Sequence, residues 1–481
     1  MLQRALLLTL LLAAPAYAEV PLAQHTCPNG LTVLVAENHA LPLITIEYAA
    51  KNGSMTEPPE YNGLSHLYEH MFFKGNAKIP NQEAFMARMR ELGMEFNGTT
   101  ETERVNYFFT STSDHFADAM AFMRDAVVSP LFDPKEFERE RVVVTGEIDR
   151  NESNPYYHFW HTLNPHIWWK YPTRKDPLGS RETVLHATTD MMRTIQHRYY
   201  VPNNSVIVVT GDVKAADVFA MADSLYANWP KAADPFVEFP LVTHPPLPAS
   251  SVVVVEQPVE TFIGQFTYLG PSTVGPSVPD TYAADLLSTA ISEPSSKFQK
   301  DLVDSGACVR VGMSWFTQKN VGPISVSFEA APDKIDACTK AVMDELPKMK
   351  TADYLSDEEL LNAAHTLEVG QAHERESSSG FAHALTFWWS SAGLDYYDGY
   401  VANVKKVTRA DIARYLDTWV LGKPTVFGAM VSPEMTKAGD NEAHFAQLLG
   451  IPASQGVGPP ATNNAPAEKP TKKKSSKKGS K

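Results

Sequence analysis

Two histidines and a glutamate stand close together in His66-Leu67-Tyr68-Glu69-His70. His66 and His70 are four apart, so on a helix they share one face. Two imidazoles at that spacing can bind a single Zn²⁺. Glu69 lies beside them and can take a proton from a water that the metal has acidified, ready for attack on a peptide carbonyl. A catalytic zinc needs a third protein ligand and one open position. The segment from Glu136 to Glu147 offers it. Glu140 and Glu147 are seven apart, two helical turns, and also share a face. One of the two can ligate the metal, while the other can orient a ligating histidine through its second ring nitrogen.

These groups need rigid elements to hold them. Leu31 to Val35 alternates after the Asn29-Gly30 turn and reads as a strand, followed by a second from Leu43 to Ala49. Helical periodicity covers 63–73, 82–92, 114–128 and 134–152. A helix then leads to Tyr199-Tyr200, the strand Ser205–Thr210, and a helix from Ala215 to Trp229. Pro230, Pro235, Pro240, Pro245, Pro246 and Pro248 block regular structure and mark a linker. Beyond it, strands are expected at Ser251–Glu256, Thr261–Leu269, Cys308–Phe316, Ile324–Ala330 and Thr425–Val431. Helices are expected near 279–291, 294–305, 332–349, 356–373, 377–392 and 408–418. The same order of strands and helices recurs in both halves, which predicts a duplicated α+β unit. The fold class is α+β: two tandem homologous sandwich units, each an antiparallel-rich sheet packed by helices.

The chain has 481 residues, 43% hydrophobic and 20% charged, enough to bury a core in two to four domains. Its net charge of −14 excludes a general nucleic-acid binder. The last 31 residues carry seven Lys and one Glu, so the body is more acidic still and would attract cationic peptides. Arg4, the apolar stretch Ala5–Ala14 and Ala16-Tyr17-Ala18 read as a secretory signal cleaved after Ala18. No other apolar run reaches transmembrane length. The expected location is periplasmic or secreted. The divisions are 1–18 signal peptide, 19–235 zinc-binding domain, 236–250 linker, 251–445 second domain, and 446–481 a disordered Pro- and Lys-rich tail. Three Cys make no disulfide scaffold. Cys308 and Cys338 are the nearest pair, and buried free thiols are expected at Cys27, Cys308 and Cys338. His158, His161 and His166, among Trp160, Trp168 and Trp169, read as a packed aromatic segment rather than a second metal site. Asp114, Glu101 and Glu103 read as solvated charges.

The segment Asn62-Gly63-Leu64-Ser65-His66-Leu67-Tyr68-Glu69-His70-Met71-Phe72-Phe73-Lys74-Gly75 resembles the inverted zinc motif of the M16 (pitrilysin/insulinase) metallopeptidases. Gly93 to Thr100, Ser129-Pro130 with Glu138-Arg139-Glu140-Arg141, and Tyr200 to Asp212 follow in the family's order. The resemblance covers roughly residues 25–440. It implies that His66, His70 and Glu147 bind one Zn²⁺ per chain, that Glu69 is the general base and that Glu140 supports a ligand. It further implies that Asn97, Gly98 and Thr99 lie on an edge strand that pairs with the substrate backbone.

One family feature is missing. Self-sufficient members carry an Arg and, further along the same segment, a Tyr in the second half, which donate to the developing oxyanion. Here the Arg position holds Val303 and the Tyr position falls on Cys308 or Val309, with Arg310 at the wrong offset. The expected function is therefore an exported zinc endopeptidase for peptides or unfolded segments, the zinc-bearing member of a hetero- or homodimer whose other subunit supplies the Arg/Tyr pair. The reading from another class is a non-catalytic peptide-binding or structural subunit.

Overall fold

The computed structural model describes residues 21–451. The segment read as a secretory signal, its expected cleavage point at Ala18 and nearly all of the expected tail lie outside the described residues. Among the described residues no helix is long and apolar enough to cross a membrane.

The first half is built on a six-stranded sheet of β1 (Leu22–Thr26), β2 (Thr32–Glu37), β3 (Leu43–Ala50), β4 (Glu95–Thr100), β5 (Val105–Thr112) and β6 (Ser205–Gly211). The spatial order is β1-β2-β6-β3-β5-β4. Only β2 and β6 run parallel; the other neighbours are antiparallel. Helices α1 (Leu64–Phe72), α2 (Gln82–Glu91), α3 (Phe116–Val128), α4 (Pro134–Glu152) and α5 (Pro155–Ile167) come before β6. So do α6 (Arg181–His186) and α7 (Thr189–Tyr199), and α8 (Ala215–Leu225) follows it. The β2 run Val33-Leu34-Val35 and the β6 run Val206 to Val209 are buried on both faces, as central strands covered on both sides require.

The second half repeats the plan with β7 (Ser251–Glu256), β8 (Phe262–Leu269), β9 (Arg310–Trp315), β10 (Pro323–Ala330) and β11 (Val426–Val431), in the order β7-β11-β8-β10-β9. Again only one pair, β7 and β11, is parallel. Strand for strand this matches β2-β6-β3-β5-β4, so the duplication expected from the sequence is visible in the topology. A short α9 (Pro235–Glu238) sits in the linker. Then come α10 (Val278–Ser292), α11 (Lys297–Gln299), α12 (Ile335–Glu345), α13 (Asp357–His373), α14 (Ser378–Ser391), α15 (Leu394–Val404) and α16 (Arg409–Trp419). Helices α17 (Pro433–Ala438) and α18 (Glu442–Leu449) close the chain, so the domain end expected at 445 falls inside α18.

Each half covers the other. Phe159 and Leu163 of α5 pack on the outer face of the second sheet with Val253, Val255 and Val426. Phe381, Ala382 and Leu385 of α14 pack on the outer face of the first with Leu34, Ala36, Val206 and Val208. Gly428 of β11 makes the first contact possible, because a Cβ there would lie 2.5 Å from Leu163 Cδ2.

Three expectations are corrected. Cys308 and Cys338 are disulfide-bonded and only Cys27 is a free thiol. Helix α12 lies behind β10, which brings the two Cα atoms to 5.0 Å, within disulfide reach. Glu103 is buried, not solvated, at 5% exposure. Strand β5 has no counterpart in the sequence reading: Val105, Tyr107 and Phe109 are buried on one face, but the half-buried Phe108 on the other interrupts the apolar–polar alternation.

Candidate metal centre

Helix α1 starts at Gly63, which adopts a left-handed conformation with φ 88°. A Cβ there would meet the backbone of Leu178 and Gly179 at 2.7 and 2.8 Å. The helix start is tied down by Glu57, whose carboxylate accepts the backbone N–H groups of Gly63 (2.8 Å) and Ser65 (2.6 Å), groups that no helical carbonyl reaches. Leu64, Leu67, Tyr68, Met71 and Phe72 enter the core. That leaves His66, Glu69 and His70 on the opposite, half-buried face.

Helix α4 packs against α1. Its start is set by Pro134 and by the Asp133 side chain, which accepts from the N–H groups of Lys135 and Glu136. Phe137, Val144 and Ile148 are buried, and Glu140 and Glu147 point toward α1. The Glu147 Oε2 atom lies 3.6 Å from His66 Nε2 and 3.6 Å from His70 Nε2. The two imidazole rings stand edge to face, centroids 4.9 Å apart. Four-coordinate zinc at ordinary bond lengths needs ligand atoms about 3.3 Å apart. These residues therefore fit zinc, with two nitrogens and one carboxylate oxygen.

Glu140 is buried and its two oxygens face two nitrogen donors. Its Oε2 is 3.1 Å from His70 Nδ1 and its Oε1 is 2.7 Å from Lys74 Nζ. This leaves Nε2 of His70 to face Glu147 and fixes the ring's orientation. Sequence reasoning did not single out Lys74, although it stands four residues after His70. The charges respond accordingly. Burial works against a charge on His70, but Glu140 and Glu147 push it up to about 9. Burial and the neighbouring His70 bring His66 down to about 4. Burial raises the Glu69 carboxyl, with the Thr100 hydrogen bond opposing. Hydrogen bonding to His70 holds Glu147 below the ordinary carboxylate value.

Strand β4 passes over Glu69 at the edge of the sheet. Thr100 Oγ1 donates to Glu69 Oε2 at 2.6 Å, another contact the sequence did not reveal. Gly98 lies so close that a Cβ would stand 3.0 Å from Glu69 Cγ. Asn97 is exposed, and Gly98 and Thr99 are half-buried beside it. Gly98 is the one of the three set against Glu69, and β4 forms the edge of its sheet, its outer side unpaired among the described residues.

Away from this centre, His25, Cys27 and Asp223 also bring ligand-type atoms within 4.8 Å of one another, but His25 Nε2 already pairs with the Asp223 carboxylate at 2.9 Å. His158, His161 and His166 all lie on α5 and join no metal-type group among the described residues. In the second half Val303 is half-buried, Cys308 is in its disulfide, Val309 is exposed and Arg310 faces Glu329 at 3.6 Å.

Residues 32–175 match the family described as insulinase (peptidase family M16), and 186–367 match the peptidase M16 inactive domain. The chain belongs to peptidase family M16. Among M16 relatives, the uncharacterized zinc protease YmxG of Bacillus subtilis is 30% identical over 190 residues, covering 40% of this chain and 46% of that protein. The zinc protease PqqE of Helicobacter pylori is 24% identical over 306 residues, 61% of this chain and 67% of that one. A probable mitochondrial-processing peptidase subunit beta of Arabidopsis thaliana is 23% identical over 376 residues, 75% and 68%. The chain spans about half the length of the first curated M16 relatives it matches. In fold it is similar to a Helicobacter pylori protease (TM-score 0.78, 20% identity, 86% of this chain and all of that one). It is likewise similar to the first half of the Escherichia coli periplasmic protease PqqL (TM-score 0.72, 17% identity, 91% and 97%).

Proposed function

We propose that this M16 protein is an exported zinc-dependent endopeptidase that cleaves peptides or unfolded segments. One observation carries the reading: His66, His70 and Glu147 converge on one point, with the Glu69 carboxylate beside them and under an open strand edge. His66 and His70 through Nε2, and Glu147 through Oε2, would hold the metal. Bound zinc supplies Lewis acidity, which makes water a nucleophile at neutral pH and polarises the scissile carbonyl. Glu69 is the general base. It accepts the proton of the attacking water and returns it to the leaving amine. Burial raises its carboxyl toward proton affinity, while Thr100 fixes its direction. The substrate backbone adds to β4 at Asn97, Gly98 and Thr99, which sets the scissile bond beside Glu69.

The disulfide Cys308–Cys338 agrees with folding in an oxidising compartment and supports export. The chain is further proposed to be the zinc-bearing subunit of a dimer, because Val303, Cys308 and Val309 occupy the positions of the Arg/Tyr pair.

The test is cleavage of quenched fluorescent peptides by purified Glu19–Lys481, with zinc measured on the same sample. Activity that disappears in Glu69→Gln while zinc remains supports the peptidase reading. Zinc near one per chain without cleavage calls for a second M16-type subunit bearing the missing pair; restored cleavage on its addition supports the dimer. Cleavage unchanged by Glu69→Gln refutes the assignment of the base. Peptide binding without cleavage under any of these conditions would favour the non-catalytic subunit.

A further inference from the structure

The β4–β5 turn at residues 101–104 and the β9–β10 loop at 316–322 hold equivalent places in the two halves, and they touch each other. Glu103 is buried at 5% exposure, and both its oxygens accept backbone N–H groups from the opposite loop: Lys319 N at 2.8 Å and Asn320 N at 2.8 Å. Lys175 of the first half reaches the same loop. Its Nζ donates to Asn320 O (2.8 Å), Val321 O (2.7 Å) and Gln318 Oε1. A carboxylate and an ammonium of the first half thus grip one short loop of the second half. Between them they satisfy two of its N–H groups and two of its carbonyls.

The gripped loop is strained. Val321 has φ 62°, the one positive φ at a non-glycine residue among the described residues. A β-branched side chain in that conformation is strained and persists only where its surroundings hold it. The bond from Lys175 to Val321 O is one such hold. The next residue must be glycine, since a Cβ at Gly322 would lie 1.8 Å from Phe316 O.

The turn on the first-half side is held as firmly. Arg104 is 1% exposed and donates to His383 O (2.9 Å) and Thr386 Oγ1 (2.8 Å) on α14. Thr102 O accepts from Met55 N at 3.0 Å. The residue that enters this turn is Thr100, whose hydroxyl directs Glu69 at 2.6 Å. The distance along the chain from the gripped carboxylate to that hydroxyl is three residues.

We propose that Glu103 is a positioning residue, and that the β9–β10 loop of the second half, clasped between Glu103 and Lys175, fixes the end of β4 and through Thr100 the Glu69 carboxylate. The inference rests on Glu69 being the general base. It gives the second half a part in catalysis that needs no side chain of its own at the reacting atoms. The ladder to β5 holds β4 from Glu95 to Thr100, so release of the clasp acts on its last residue, at Thr100, more than on Asn97 to Thr99. The chemical step should therefore suffer more than substrate binding.

The test uses the full mature chain with substitutions of the two groups that hold the loop, Glu103→Gln and Lys175→Met. An amide in place of the Glu103 carboxylate presents one oxygen to two N–H donors and sets its own NH₂ against the other. Three readouts are taken: zinc content, amide hydrogen exchange of peptides covering 99–105, and kcat and KM on one fluorescent peptide. The expected result is wild-type zinc in both variants, at least tenfold faster exchange at 99–105, a roughly tenfold lower kcat and a KM within threefold. Unchanged exchange and kcat in both variants, with zinc retained, overturns the proposal, as does a fall in kcat/KM that comes entirely from KM. If the wild type cleaves nothing, alone or with a second M16-type subunit added, the exchange measurement still decides whether the clasp holds the strand, and only the peptidase reading fails. If Glu103→Gln does not fold, Lys175→Met, which leaves the hairpin untouched, decides alone by the same criteria.

Discussion

Replacing Glu140 by Gln isolates the role of the carboxylate that stands behind His70. Its two oxygens are each committed to a nitrogen donor, His70 Nδ1 at 3.1 Å and Lys74 Nζ at 2.7 Å. Burial works against the charge on Glu140, yet His70 and Lys74 overcome this and hold its carboxyl below the ordinary value. Gln keeps the volume but offers one acceptor oxygen. If that oxygen serves Lys74, an NH₂ group faces His70 Nδ1, and the ring loses the partner that directs Nε2 toward Glu147. One charge-assisted hydrogen bond is worth about 1.5–3 kcal/mol. At about 1.4 kcal/mol per factor of ten, zinc affinity should fall roughly 10- to 100-fold, in line with the usual effect of such supporting groups. The assay is the zinc dissociation constant by competition with a fluorescent chelator, with far-ultraviolet circular dichroism as a check on folding. A folded Glu140→Gln protein that binds zinc within threefold of wild type would show that His70 is oriented by its helix alone, and the reasoning fails.

Three further outcomes are expected. Gly98→Val places a branched side chain where a Cβ alone would meet Glu69 at 3.0 Å, so cleavage should fall at least tenfold with zinc retained; wild-type cleavage would mean β4 has room to shift. Gly63→Ala forces a Cβ into the left-handed region and against Gly179, and should cost about 2–3 kcal/mol in denaturant unfolding; a loss below 0.5 kcal/mol would contradict the close approach. Asp285 accepts from Tyr400 but has no cation, and burial pushes its carboxyl up to about 7. Below about pH 4 both folded and unfolded chains carry it protonated; from there to pH 7 only the unfolded chain releases the proton, so native stability falls as pH rises. Asp285→Asn should remove that loss, a gain of about 2 kcal/mol at pH 8 after allowance for partial exposure, and close to none at pH 4. Equal effects at both pH values in urea melts would refute it.

The centre was legible in the sequence as far as single helices carry it. His66, Glu69 and His70 need only helical spacing to be grouped. The choice between Glu140 and Glu147 did not follow from spacing, since both lie on one face of α4; it followed from family resemblance, and Glu147 Oε2 lies 3.6 Å from both Nε2 atoms. Contacts that cross between elements were invisible. Thr100 reaches Glu69 only because β4 crosses α1, and Glu103 looked solvated because its partners, the amides of Lys319 and Asn320, are more than two hundred residues away. The disulfide was misread for the same reason: thirty residues and a strand pair separate Cys308 from Cys338. The repeated order of elements carried the fold well, apart from β5, where the half-buried Phe108 interrupts the apolar–polar alternation.

The exchange of covering helices sets a timetable for synthesis. All strands of the first sheet have been made once Gly211 is in the chain, but its outer face of Leu34, Ala36, Val206 and Val208 is sealed by α14, which begins at Ser378. At ordinary translation rates that gap lasts roughly 10–30 s. During it an apolar sheet face stands open, a surface on which chaperones act and aggregates start. Helix α5 is made early and waits for β7 and β11 in the same way. A chain kept unfolded until it is complete, as export across a membrane requires, would pass this interval without ever forming the half-covered sheet.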